Sequence, residues 1–184
     1  MMRPLIVLTL TGLMAACASA KKETDKAMSA PAPQTVTAAH EAGSANVTEV
    51  NFDRGSFVLS EGARSALTDM IGKARSAGDV RAISVLAWAD SAYPSDAKKT
   101  LSPADRDLAK RRADAISNYL KTENLASNVD VYNMAERPNA VERLFNTSDA
   151  RVKNAFEEAG VTSSEGKTIT GKASRAVIMA MPNR

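Results

Sequence analysis

Four segments of the chain have the apolar pattern of β-strands. Residues 47–53 alternate and are rich in β-branched side chains, and residues 128–136 form another predicted strand. Residues 80–88 and 174–181 are apolar on both faces, which is typical of strands in the centre of a sheet. The four predicted strands read VTEVNFD, VRAISVLAW, NVDVYNMAE and SRAVIMAM.

Three segments between these strands have apolar residues at helical spacing. Ser60 is the predicted cap of the first helix, and Gly78 lies near its end. Ser102 and Pro103 open the second helix as cap and first helical residue. The third helix begins at about residue 148 and has Gly160 as its predicted stop.

The order of elements is therefore β-α-β-α-β-α-β, without an internal repeat. Such alternation predicts a single α/β (α+β) domain in which helices pack on a mixed parallel and antiparallel sheet. The chain has 184 residues and 44% hydrophobic content, which suffices for one core of ordinary size.

The first residues have the pattern of an export signal. Arg3 precedes an apolar run over residues 5–14, which is shorter than the roughly 20 residues of a membrane-spanning helix. Ala15 and Ala16 stand directly before Cys17, the single cysteine of the chain, and this resembles the lipobox of bacterial lipoproteins. The resemblance implies a signal peptide over residues 1–16 and lipidation of Cys17; an ordinary secretory peptide cleaved near Ala18 or Ala20 is the alternative.

Residues 17–46 lack aromatic side chains and are dominated by Ala, Ser, Thr, Pro and charge. This composition predicts a disordered tether behind the lipidated residue. His40, the single histidine, lies in this segment and is predicted to be a solvated side chain. The folded domain is then expected over residues 47–184.

Composition and motifs argue against two classes of function. Aromatic residues are 4% of the chain and the charges are interspersed with a net value of +3, which does not suit a nucleic-acid-binding surface. The predicted domain has no histidine, no cysteine nucleophile, no metal-ligand spacing and no Gly-rich phosphate loop. We therefore expect neither an enzyme nor a cofactor or metal site.

One arginine stands where an apolar residue is expected. Leu108, Arg112 and Ile116 are spaced four apart in the second helix, so Arg112 lies on the line of residues that faces the sheet. A half-buried guanidinium needs an acceptor, and Asp90 at the end of the neighbouring strand is a suitable one. Arg111 is expected to face solvent. Spacing alone leaves a structural Asp90–Arg112 ion pair and a ligand site equally open.

The segments VNFDRGSFVLSEGARSAL, ISVLAWAD and LAKRRADAISNYL resemble, in this order, the OmpA-like C-terminal domain, a family that binds peptidoglycan. Asp90 matches the aspartate of the family, and Arg112 followed by Ala113 matches its arginine. Ala89 and Ala109 stand where the family has a threonine and a serine. Asp105 aligns with the family's asparagine before the helix.

This resemblance implies that Asp90 and Arg112 bind the ammonium and the carboxylate of a diaminopimelate side chain. The expected protein is an outer-membrane-anchored lipoprotein on the periplasmic face that binds peptidoglycan noncovalently. The alternative is an OmpA-like scaffold that has lost this ligand and contacts an envelope protein partner through the long loop of residues 93–100.

Overall fold

The computed structural model describes residues 30–78, 80–91, 94, 100–159 and 174–183. Cys17, the signal peptide, Gly160 and most of the loop at residues 93–100 lie outside the described residues. The helices are α1 (Pro33–Glu41), α2 (Glu61–Ala77), α3 (Pro103–Thr122), α4 (Ala140–Leu144) and α5 (Ser148–Glu158), and the strands are β1 (Asn46–Asn51), β2 (Val80–Ala87), β3 (Val129–Asn133) and β4 (Arg175–Pro182).

The four predicted strands form one mixed sheet in the order β1-β4-β2-β3. β4 is antiparallel to both β1 and β2, while β2 and β3 are parallel. The predicted fold class and the alternation of strands with α2, α3 and α5 are confirmed. Because β4 runs against both of its neighbours, its first residue lies beside the carboxyl ends of β1 and β2.

Helices cover both faces of the sheet. On one face, α2 and α3 pack on Ile83, Val85 and Ala87 in the larger apolar cluster. On the other face, residues of α1 and α5 join Leu86 and Trp88 in a second cluster. Alternate side chains of β2 therefore enter different cores, which accounts for its apolar run on both faces.

The predicted helix starts are confirmed at the level of single hydrogen bonds. The Ser60 hydroxyl accepts from the backbone N–H of Ala63 at 3.2 Å. The Ser102 hydroxyl accepts from the N–H of Asp105 at 3.1 Å, and Pro103 occupies the first turn of α3. These caps fix where α2 and α3 begin relative to the strands before them.

The prediction of a disordered tether up to residue 46 is wrong for the segment that forms α1. Thr35, Ala38 and Ala39 of this helix are fully buried, and α1 contacts α5 across the second core. Small side chains allow the helix to lie close to its neighbours, so little apolar volume is needed for it to pack. The folded domain thus begins before residue 47, while His40 is exposed as predicted.

Among the described residues, no helix has the length and apolar composition that a membrane crossing requires.

Candidate functional site

Asp90 lies just beyond the carboxyl end of β2. The two residues before it, Trp88 and Ala89, are buried, and the backbone N–H of Trp88 donates to the carbonyl of Arg175 at 3.0 Å. The chain leaves the core at Asp90, whose side chain is 18% exposed. The carboxylate therefore lies at the carboxyl end of β2, a central strand of the sheet.

Arg112 lies in the middle of α3 and has no exposed surface. Of the predicted line, Arg112 and Ile116 are buried, while Leu108 is half-buried. Ala109 and Ala113 are buried beside Arg112, so this face of α3 packs on the sheet. Arg111 is exposed and pairs with Asp107 one turn earlier, as expected for a surface charge.

The guanidinium of Arg112 makes four hydrogen bonds. They run from Nε to the Ser56 carbonyl (2.8 Å), from Nη1 to the Trp88 carbonyl (2.9 Å), and from Nη2 to the Asp53 carbonyl (3.1 Å) and Asp90 Oδ1 (2.6 Å). The Phe52 ring lies 5.0 Å from the guanidinium carbon. Three of the four acceptors are backbone carbonyls, so Arg112 links the turn after β1 to the end of β2.

The carboxylate of Asp90 accepts three hydrogen bonds. Oδ1 accepts from Arg112 Nη2 and from the Ser174 hydroxyl at 2.7 Å, and Oδ2 accepts from the backbone N–H of Gly55 at 2.6 Å. Burial raises the pKa of Asp90, but the hydrogen bonds from Ser174, Arg112 and Gly55 and the charge of Arg112 outweigh it. The net pKa is lowered, so the carboxylate is ionised at neutral pH.

The donors to Asp90 come from places that the sequence did not indicate as part of a site. Gly55 has a φ of 72° in the turn after β1, a conformation that glycine adopts without strain. Ser174 directly precedes β4 and reaches Asp90 because β4 lies beside β2. Both contacts with Asp90 depend on the strand order.

Asp105 connects the residue after Asp90 with the start of α3. Its carboxylate accepts from the hydroxyl of Ser91 at 2.9 Å and from that of Ser102 at 2.7 Å. It therefore ties the residue after Asp90 to the first turn of α3. Asp105 thus holds both Ser91 and Ser102, which flank the loop between β2 and α3.

The arrangement suits recognition by charge and hydrogen bonding. Within the described part of the chain, no group of three or more His, Cys, Asp or Glu side chains could hold a metal ion. The ionised carboxylate of Asp90 is the chemically distinctive feature of this site, and such a group forms charge-assisted hydrogen bonds with cationic donors, as it does here with Arg112.

No family model matches the chain, and a search of curated proteins also found no match.

Proposed function

We propose that this protein is an OmpA-like lipoprotein that binds peptidoglycan noncovalently, with Asp90 receiving the ammonium of the diaminopimelate side chain. The observation that carries the proposal is the state of the Asp90 carboxylate: ionised, partly exposed and fixed by three hydrogen bonds. A preorganised carboxylate binds an ammonium without first losing conformational freedom.

The hydrogen-bond count of Asp90 leaves room for such a ligand. An ionised carboxylate has about four lone-pair directions, two on each oxygen. Oδ1 uses two for Arg112 and Ser174, and Oδ2 uses one for Gly55. One direction on Oδ2 is therefore available to an N–H of an incoming ammonium, which would form a charge-assisted hydrogen bond there.

Arg112 acts in this proposal as a positioning residue. Its guanidinium has no exposed surface, and direct contact with a ligand carboxylate would require it to leave the backbone carbonyls of Ser56 and Trp88. The fold loses stability when a carbonyl inside it has no hydrogen-bond donor. Arg112 instead holds Asp90 Oδ1 at 2.6 Å, while Oδ2 accepts from the Gly55 N–H.

The cellular setting is part of the same proposal. The short apolar run before Ala15, Ala16 and Cys17 supports cleavage after residue 16, lipidation of Cys17 and anchoring at the periplasmic face of the outer membrane. Peptidoglycan and the lipid bilayer are the proposed partners. No catalytic residue, cofactor or nucleic acid belongs to this function.

A second candidate function is a scaffold that binds an envelope protein and no longer binds the wall. Two observations favour it: Asp90 and Arg112 already neutralise each other at 2.6 Å, and an apolar pair is exposed at the end of α4. Leu144 is 79% exposed and Phe145 is 74% exposed. Exposed apolar side chains of this size occur at protein-protein contacts.

Co-sedimentation with purified sacculi distinguishes the two candidates. The full-length protein in mild detergent is expected to sediment with diaminopimelate-containing sacculi. Asp90→Asn keeps the shape of the side chain but removes its charge, and we expect at least a tenfold loss of bound protein, since a charged hydrogen bond contributes about 1.5–3 kcal/mol.

Asp69→Asn provides the matched control, because Asp69 is an exposed aspartate of α2. This variant should sediment like the wild type. If folded Asp90→Asn protein also sediments like the wild type, or if the wild type does not sediment, wall binding at Asp90 is wrong and the scaffold is favoured.

A further inference from the structure

The end of a diaminopimelate side chain carries a carboxylate beside its ammonium, and Arg112 offers no surface to that second charge. We propose that Arg54, on the turn that donates to Asp90, binds this carboxylate. The inference rests on the proposed function and assigns the second half of the ligand to a residue outside the Asp90–Arg112 pair.

The backbone places Arg54 directly beside Asp90 Oδ2, the oxygen that is proposed to accept from the ligand ammonium. The N–H of Gly55 donates to Asp90 Oδ2 at 2.6 Å, and a single carbonyl carbon separates that nitrogen from the Cα of Arg54. The Cα of Arg54 therefore lies within about 5 Å of Oδ2, and an extended arginine side chain reaches roughly 6–7 Å further.

The conformation of the turn fixes this placement. Gly55 has a positive φ of 72°, and the position where a Cβ would stand has no atom within 4 Å. The Arg112 Nη2 and Nε bonds to the Asp53 and Ser56 carbonyls hold the turn on both sides of Arg54. The buried arginine thus positions the backbone that carries the exposed one.

Arg54 is also available for a ligand. It is exposed, and it makes no hydrogen bond or ion pair with any other residue in the described ranges. Two arginines of α3 already have partners. Arg111 pairs with Asp107, and its guanidinium lies over the Phe57 ring at 5.4 Å. Arg106, in the first turns of α3, pairs with Glu136 at 3.3 Å.

The size of the ligand matches the spacing of the two protein groups. Ammonium and carboxylate share one carbon in an amino-acid group, so their heavy atoms are about 3 Å apart. An ammonium on Asp90 Oδ2 therefore brings the carboxylate into the reach of Arg54. The planar guanidinium can bind both carboxylate oxygens at once, which a lysine could not do.

A cycle of two ligands and two proteins tests this assignment. The ligands are a synthetic stem tripeptide ending in meso-diaminopimelate and the same tripeptide ending in lysine, which keeps the side-chain ammonium but lacks its carboxylate. By calorimetry at low salt, the wild type should bind the first about fivefold to twentyfold more tightly. Arg54→Ala should bind both equally, near the affinity of the wild type for the lysine peptide.

Two further variants complete the test. Arg54→Lys should recover part of the preference, because it restores charge without the planar fork. Arg81→Ala removes an exposed arginine at the opposite end of β2 and should keep the full preference.

The possible failures are distinguishable. An Arg54→Ala protein that still prefers the diaminopimelate peptide, or a wild type that binds both peptides equally, overturns the role of Arg54 but leaves the proposed function standing. A wild type that binds neither peptide overturns the proposed function together with this inference.

Discussion

Arg112 is the largest side chain without exposed surface in the described part of the chain, although it carries a full charge. Burying a charge is costly unless it is paired and hydrogen-bonded. Here Asp90 supplies the opposite charge, and the backbone carbonyls of Asp53, Ser56 and Trp88 accept most of the donors. The arginine is thus the centre of a polar network inside an apolar face.

Replacing Arg112 should therefore affect stability strongly. Arg112→Ala leaves the Ser56 and Trp88 carbonyls without the donor that Arg112 supplies, and Asp90 without its charge partner. We therefore expect the free energy of unfolding to fall by about 3–5 kcal/mol. Arg112→Lys retains the charge but not the fork, and about 2 kcal/mol is expected. Urea unfolding of the purified variants measures both values.

Arg111→Ala is the control, because its ion pair with Asp107 is exposed and should be worth at most about 0.5 kcal/mol. An Arg112→Ala protein within 1 kcal/mol of the wild type would show that the network contributes little, and that the arginine is free to serve a ligand.

The sequence predicted part of this network. Helical spacing placed Arg112 on the buried line of α3, and the need for an acceptor pointed to Asp90 at the strand end. The backbone carbonyls and the donors Gly55 and Ser174 could not be predicted, because they reach the pair only through the strand order. Local patterns report which residues are buried, but not which distant turns meet them.

At the scale of single elements, α1 is held by a buried carboxylate. Glu49 of β1 accepts from the Thr35 hydroxyl and from the N–H of Ala32 at 3.3 Å, and Arg175 lies 3.6 Å away. These bonds fix the start of α1, while Ala38 and Ala39 close over the second core. Residues 32–41, which the composition assigned to the tether, are therefore part of the fold.

Limited proteolysis tests this boundary. The protected core of the wild type should begin before Pro33, since α1 is packed over its length. Thr35→Ala removes a hydrogen bond to a buried carboxylate, at a cost of about 1–3 kcal/mol, and should make α1 sensitive to cleavage. Mass spectrometry of the fragments identifies the cut.

Thr37→Ala provides the control on the same helix, because the hydroxyl of Thr37 is exposed and, among the described residues, bonds only to the Pro33 carbonyl. It should leave the fragment pattern unchanged. A wild-type core that begins at residue 46 or 47 would contradict the docking of α1.

Composition misled the sequence prediction for α1 for a physical reason. Low apolar content usually means that a segment cannot bury enough surface to fold. In α1 the buried positions are taken by small residues against large partners, Trp88 and Phe156, that the rest of the domain supplies. The apolar volume of this interface is supplied by Trp88 and Phe156, which lie outside residues 33–41. The composition of residues 33–41 alone therefore does not indicate that they pack.

At the scale of the whole molecule, the strand order creates the site. β4 lies between β1 and β2 and runs against both, so the turn at residues 53–56, the end of β2 and Ser174 meet at one edge. The pattern of elements predicted a mixed sheet, but it did not specify which strands are neighbours. Asp90 thus has donors from segments 35 and 84 residues away in sequence.

The most direct test of the central claim is a nuclear magnetic resonance titration of ¹⁵N-labelled protein with the diaminopimelate stem tripeptide. The Gly55 amide donates to Asp90 Oδ2, the oxygen that should receive the ligand ammonium. We predict a saturable shift of the Gly55 amide signal in the wild type, with the same midpoint as calorimetric binding, and none in folded Asp90→Asn protein. Saturable binding that leaves the Gly55 signal unmoved, or that persists in Asp90→Asn, would contradict the claim that Asp90 is the ligand site.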